Sequence, residues 1–445
     1  MLVNFRIENF LSFNGVTTFS MTLGKSKLHQ ENILKNDPID LLKFAAIYGA
    51  NASGKSNFIS GISFAQKTIL EGLDKQLPSS LYNRNHEENK NRKSRFEFEF
   101  VLNEHIFSYG FSVLMSESKI VEEWLYDITK EEIPVFTRSD VIEINYPYLN
   151  LDQKNRVRLE VYAEDSSNNN TSLFLTSLNS GKNKLITEDG NTLFSDLFSW
   201  FRDVLEVVEP NQAAREFGLT YHNKDFLEQL GTYLENSDTG VTNVVLEQTE
   251  DRLKGIPLGT EKQIREKIIM DLENDEDQEN VEISALIRTS KSIYLFIKEN
   301  GDVNTYELKF EHGKERIKYA LSEESDGTVR LVELFSVLYN NKEKVFVIDE
   351  LDRSLHPLLT LDFVQKFLNK TGLNQLIIST HEDRLLDLSL LRRDEIWFVE
   401  KEGDGNSILY SLEDYKERFD KNILNAYLDG RYGAVPQITQ IILAE

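Results

Sequence analysis

The chain contains no cysteine. That excludes disulfides and every thiolate-ligated zinc or iron–sulfur site. No apolar run approaches the roughly 18 residues that a membrane-spanning helix requires. The opening residues, MLVNFRIENF, lack the basic start and apolar stretch of a secretory signal. These absences lead us to expect a cytoplasmic protein with no membrane partner. Positive charge is also in short supply. Lys and Arg number 50 against 74 Asp and Glu, a net charge of −24. Because phosphate contacts dominate affinity for nucleic acid, this balance does not support a constitutive grip on DNA or RNA. One stretch, NRNHEENKNRKSR (83–95), is locally basic through Arg84, Lys90, Arg92, Lys93 and Arg95. It reads first as a solvated loop ahead of a strand. The acidic stretch DLENDEDQENVE (271–282) lacks EF-hand spacing and its glycine, and reads as a solvated linker or helix end. Sustained heptads and internal repeats are missing too, so a long coiled coil is not expected.

What is present implies more than one core. At 445 residues, two or three domains are expected, and 40% hydrophobic with 11% aromatic residues is enough to fold them. LVNFRIENF alternates Val3, Phe5 and Ile7 with Asn4, Arg6 and Glu8, the period of a half-buried strand. TTFSMTL (17–23) suits a second strand, and residues 95–128 read as an antiparallel meander. From about 150 to 290 the pattern turns to helices and polar loops. AEDSSNNNTS (163–172) has loop composition, whereas 191–208 and 223–236 have helical spacing. Strands return in 292–310, a hairpin around Asn300-Gly301, then in KVFVIDE (344–350), NQLIIST (374–380) and a further hairpin at 394–412. Residues 422–438 read as a helix ending near Gly430, then a loop. The expected architecture is α/β, with a mixed parallel and antiparallel sheet and a largely helical insertion. Its expected divisions are 1–130, 131–290 and 291–445.

The most specific signal is IYGANASGKSN (47–57). Gly49, Gly54, Lys55 and Ser56 stand at the fixed positions of G-x-x-x-x-G-K-[ST], the Walker A pattern. Glycines let successive backbone N–H groups turn toward an anion, and the following helix adds its N-terminal partial charge. Asn51, Ala52, Ser53 and Asn57 complete the loop. Lys55 would reach the β- and γ-phosphates of ATP, and Ser56 would ligate Mg²⁺. An apolar run, FAAIYG (44–49), precedes the loop and a helix-spaced run, 56–73, follows it. VFVIDELDRSLHP (345–357) supplies a second part: an apolar strand carrying Asp349, for Mg²⁺, and Glu350, to deprotonate the attacking water. The blander reading is that these acids cap the next helix. Past a third apolar run, IISTHED (377–383) places His381, either a γ-phosphate contact or an ordinary surface or capping histidine. In LSEESDGTVRLVELFSVLY (321–339), Ser325 and Gly327 open a helix, as an anion site or as a plain N-cap.

The order of these parts resembles that of ABC-type ATPases of the SMC/RecF/OLD branch. More closely, ESDGT (324–328), DELDRSLHP (349–357), RRDEIWFVEK and GRYGAVP (430–436) are similar to the stand-alone ABC ATPases of bacterial abortive-infection and anti-phage systems. The likeness covers about 1–130 and 290–440. It implies a homodimer or higher homo-oligomer closed around two ATPs. Ser325 and Gly327 would then contact ATP bound to the other subunit, Asp352 would cross the interface, and His381 would act as the switch histidine. It also implies a separate effector protein, a TOPRIM-like nuclease or a toxin. Departures are present: ESDGT replaces Leu-Ser-Gly-Gly-Gln, Leu11 stands where related chains often have a base, and Gln66 lies too close to the phosphate loop to be a Q-loop. Two alternatives stay open, a repair or recombination ATPase acting on DNA and a nucleotide-gated scaffold with very slow hydrolysis.

Overall fold

The computed structural model describes residues 1–73, 79–181, 184–188, 190–210, 223–249, 252–273, 284–289, 291–299, 302–415 and 423–435. The chain divides into two compact units. The first comprises Met1–Asn211, Lys342–Leu351 and Leu368–Glu445, the second Gln212–Asn341 and Asp352–Phe367.

Among the described residues the first unit contains two large sheets, beside the two-stranded pair Ile33–Leu34 and Leu41–Leu42. One has seven antiparallel strands in the order Ile142–Ile144, Ile133–Arg138, Lys119–Asp127, His105–Leu114, Ser94–Leu102, Leu2–Glu8 and Thr17–Ser20. This is the expected meander with the N-terminal strand added to its edge. The alternation in Leu2–Glu8 does what its period requires, burying Phe5 and Ile7 while Asn4, Arg6 and Glu8 stay partly exposed. The other sheet has six strands in the order Leu205–Val208, Lys344–Ile348, Asn374–Ser379, Phe44–Tyr48, Ile396–Lys401 and Ser407–Ser411. Its first five strands run parallel and the last pairs antiparallel. The central parallel strands carry continuous buried apolar runs, Phe44–Tyr48, 345–348 and 376–378, as burial on both faces demands.

The helix Lys55–Glu71 belongs to the core of this unit. Phe58 meets Phe5 edge-on at 5.6 Å between ring centroids, and Phe64 lies 5.3 Å from Phe10. Gly61 allows the helix to approach the strand Leu2–Glu8, because a Cβ there would collide with Ile7. Phe19 and Trp397, 4.9 Å apart, join the two sheets. A further aromatic group, Phe98, Phe100, Trp200 and Phe201, packs around a π-turn at Trp200–Val204, with Phe100 and Trp200 stacked at 4.2 Å.

In the second unit, a five-stranded antiparallel sheet runs Val241–Gln248, Asp302–His312, Ile293–Glu299, Ser284–Arg288, with Ile317–Ala320 also on Asp302–His312. Two helices, Lys224–Asn236 and Asp326–Tyr339, pack through Phe226 and Phe335, whose centroids are 5.2 Å apart. The expected hairpin at 292–310 forms, with Glu299 opposite Asp302, while Asn300 and Gly301 lie outside the described residues. Most of the acidic stretch 271–282 and the start and end of 422–438 lie outside them as well; the helix Ile423–Leu428 is described.

The stretch 150–290 holds the expected helices, Gln153–Ser167, Phe174–Asn179, Leu193–Ser199, Lys224–Asn236 and Leu258–Glu273, together with three strands. Two corrections follow. Residues 163–167 continue a helix instead of forming a loop, because Ala163 and Ser166 are buried on it and packing overrides composition. The run 191–208, expected to be helical, ends as the strand Leu205–Val208, where parallel pairing with Lys344–Ile348 overrides helical spacing. The residues of this stretch up to 211 fall in the first unit, so the units are cut differently from the expected 131–290 division. Among the described residues no helix is long and apolar enough to cross a membrane.

Candidate functional site

The order of the six-stranded sheet assembles the site. Asn374–Ser379 lies between Phe44–Tyr48 and Lys344–Ile348, with Ser379 opposite Ile47 and Ile378 opposite Ile348. All three strands end at one carboxyl edge, where parallel sheets bind their ligands. From that edge emerge the loop 49–54, the acids Asp349 and Glu350, and the segment leading to His381.

The loop has no room for side chains at its fixed glycines. A Cβ at Gly49 would run into the Val399 carbonyl and Ser53, and one at Gly54 into the hydroxyls of Ser407 and Ser12. Gly54 also has φ of +119°, which an L side chain rarely adopts, and Ala52 is left-handed at +62°. Lys55 is buried and folded back into the loop, its Nζ donating to Gly49 O at 2.8 Å. Ser53 Oγ is buried and has no hydrogen-bond partner among the described residues. Asn51, Ala52 and Ser56 are exposed. Two residues that the motif does not include brace the loop. Ser407 donates its hydroxyl to Ser53 O and its N–H to Ser12 O, and Ser12 Oγ accepts from Asn57 Nδ2 at 2.8 Å. No local pattern marks Ser12 or Ser407, because Ser12 reaches the loop from the turn after Leu2–Glu8 and Ser407 from the strand Ser407–Ser411.

On the neighbouring strand, Asp349 is buried and its Oδ1 accepts from Ser379 Oγ. Glu350 is half-buried, in left-handed backbone at φ +48°. Neither acid caps the next helix, which starts only at Pro357. Thr380 N donates to Ile47 O at 3.2 Å, so the segment carrying His381 is fastened to the phosphate-loop strand. His381 is exposed, and the following turn Asp383–Leu385 is capped by Glu382 instead. Gln66 is buried and donates to the carbonyls of Phe201 and Leu205, holding the π-turn to the helix.

Ser325, Gly327 and Asp352 lie in the second unit. Ser325 is the N-cap of Asp326–Tyr339, its Oγ accepting from Thr328 N at 3.1 Å, so the plain capping role is present. Gly327 abuts the loop after Asp352: a Cβ there would stand 2.9 Å from the Ser354 carbonyl. Asp352 O accepts from Leu355 N in that loop at 3.1 Å.

Much of the basic stretch 83–95 is engaged by acids. Arg92 pairs with Glu8 at 2.9 Å, Lys93 with Glu122 at 2.6 Å and Arg95 with Glu97 at 2.5 Å. Arg95 also lies over the Trp124 ring.

The donor set fits a nucleotide with its metal. Glycines without room for a Cβ, an inward lysine and a partnerless buried hydroxyl suit an anion held by backbone N–H groups. Ser56 and Asp349 are the oxygen donors that suit Mg²⁺. The sequence profile of the family described as "AAA domain, putative AbiEii toxin, Type IV TA system" matches residues 44–387. The chain belongs to this family. The AAA-domain match begins at the phosphate-loop strand and ends beyond His381, so every site residue expected from the sequence lies within it, while the bracing Ser12 and Ser407 lie outside. No curated protein matches the sequence. Among solved structures, an SMC head bound to the C-winged helix domain of ScpA is 14% identical, with a TM-score of 0.43 over 92% of this chain and 97% of that one. The SMC head domain from Thermotoga maritima is 13% identical, with a TM-score of 0.36 over 92% and 98%. Both TM-scores lie below 0.5, and the fold rests on the strand order described above.

Proposed function

We propose that this AAA-domain protein binds and hydrolyses ATP with Mg²⁺ at the 49–57 loop, as a dimer closed around two nucleotides. In this reading it is the sensor or regulatory subunit of an anti-phage, abortive-infection system and controls a separate effector protein. The observation that carries the catalytic part is the shared strand edge, which brings the phosphate loop and Asp349-Glu350 together with one strand between them. Backbone N–H groups of residues 51–56 hold the phosphates, and the Lys55 ammonium moves from Gly49 O to them. Ser56 and Asp349 would hold Mg²⁺, which when bound would offset phosphate charge. Glu350 accepts a proton from the attacking water, and His381 hydrogen-bonds the γ-phosphate. Ser325, Gly327 and Asp352 serve the nucleotide of the partner copy. The ion pairs of Arg92, Lys93 and Arg95 favour this reading over direct action on DNA.

Lys55→Ala tests it. The variant is expected to lose ATP binding or turnover, because the charge facing the phosphates is gone. Wild-type turnover in steady-state assays of that variant would refute the loop assignment.

The family description favours a second reading, in which this chain is itself the toxic member of a toxin–antitoxin pair. Induced expression of this chain alone separates the two. Growth arrest that disappears in Lys55→Ala supports the toxin reading, and normal growth supports a separate effector.

A further inference from the structure

The acidic turn after Lys344–Ile348 is bonded at three successive residues to one residue of the neighbouring strand. Ser379 is wholly buried, at 0% exposure. Its Oγ donates to Asp349 Oδ1 and accepts from Glu350 N–H at 2.8 Å, while its carbonyl accepts from Leu351 N–H at 3.0 Å. Three consecutive residues are therefore each bonded to a single serine, while Asp349 N–H also donates to Val208 O at 3.0 Å. A hydroxyl has one proton, so the bridge has a direction: the proton goes to the carboxylate and a lone pair faces the amide. The amide it receives belongs to Glu350, whose left-handed backbone is a conformation that persists only where its surroundings hold it.

We propose that Ser379 is a positioning residue for both halves of the chemistry, orienting the Asp349 carboxylate toward Mg²⁺ and locking the turn that aims Glu350. The proposal rests on the ATPase reading. One hydroxyl couples the metal side to the proton side, so removing it damages the two together. It leaves the phosphate loop, on the next strand, intact.

The test compares wild type, Ser379→Ala and Ser379→Thr. Affinity for a fluorescent ATP analogue is measured in EDTA and in Mg²⁺, and kcat and KM are measured separately. Ser379→Ala is expected to keep its affinity in EDTA, to lose about tenfold or more of the Mg²⁺-dependent gain, and to lose a similar factor in kcat, the scale seen when a ligand's supporting hydrogen bond is removed. Ser379→Thr, which keeps the hydroxyl, should recover much of both. If the added methyl group crowds the buried site, Asp349→Asn gives the same information. In that background Ser379→Ala should cause no further loss of the Mg²⁺ gain. An unchanged Mg²⁺ gain and kcat in Ser379→Ala, beside an active wild type, overturns this proposal alone. Equal loss of affinity in EDTA and in Mg²⁺ also overturns it, because it marks general damage to the site. A wild type that neither binds nor hydrolyses ATP overturns the ATPase reading beneath it.

Discussion

Glu350 stands where a buried apolar strand ends and the backbone turns left-handed, and its main-chain N–H is already committed to Ser379. Its carboxylate is the part that the proposed chemistry uses. Glu350→Gln keeps the shape of the side chain and removes the base. The variant should bind ATP normally and turn it over on the order of 10²-fold or more slowly. Loss of nucleotide binding, measured directly with a fluorescent analogue, would make Glu350 a structural residue. A different glutamate sets a pH dependence. Burial pushes the Glu395 carboxyl up to about 8, against the pull of the Arg392 N–H and Asn32 hydrogen bonds. The Asp394 carboxylate pushes it the same way, and the Arg392 guanidinium opposes. The buried Lys43 amine also faces it electrostatically. A carboxyl raised in the folded state binds more protons there than when unfolded, so its contribution to stability is present at low pH. That contribution is lost as pH rises from the ordinary carboxylate range toward about 8. Glu395→Gln should remove this slope. The melting temperature of the variant relative to wild type should climb between about pH 5 and 8 and then level. A difference that stays constant with pH excludes ionisation of Glu395 as the cause.

At the scale of elements, the seven-stranded sheet depends on a close approach at Gly110, in the strand His105–Leu114. A Cβ there would overlap the Trp124 ring and approach the Phe96 carbonyl at 2.7 Å. Trp124 is held in place by its indole N–H to Glu97 and by Arg95 over its ring, so it has little freedom to yield. Gly110→Ala should cost about 1–3 kcal/mol, the usual scale of overpacking. Chemical denaturation would show this as a lower midpoint at unchanged slope. An unchanged midpoint would mean that Trp124 swings aside. The meander itself was legible from alternating residues and turn signals. The need for glycine at 110 was not, because the ring that fills the space belongs to the next strand.

For the whole molecule, the central question is whether the site is shared between copies. In the proposed dimer the Ser325-Gly327 helix start would face nucleotide held by the other subunit. Under that arrangement Ser325→Arg and Lys55→Ala chains are each inactive alone. Mixed, they form dimers with one intact site and one doubly broken site. ATP turnover should return, to no more than half of wild type per dimer. No recovery despite demonstrated subunit exchange would show that the two sites fire only together. Full turnover by a strictly monomeric wild type would exclude the shared site altogether.

The sequence by itself determined the parts whose meaning lies among near neighbours. Gly49, Gly54, Lys55 and Ser56 match the phosphate-loop pattern because backbone curl, charge and hydroxyl must follow in that order. Asp349 and Glu350 are readable because they end a continuous apolar run. Alternation identified the N-terminal strand and the meander in the same way. Tertiary structure alone decided what depends on residues distant in sequence. It placed Asn374–Ser379 between the two halves of the site, and so brought Ser379 to Asp349 and Glu350. It closed Ser12 and Ser407 on the loop, turned the end of a helix-spaced run into Leu205–Val208, and paired Arg92, Lys93 and Arg95 with carboxylates. The physical reason is the same in each case. A local pattern fixes which chemistry a segment can offer, while the free energy of long-range pairing and burial fixes which partner receives it.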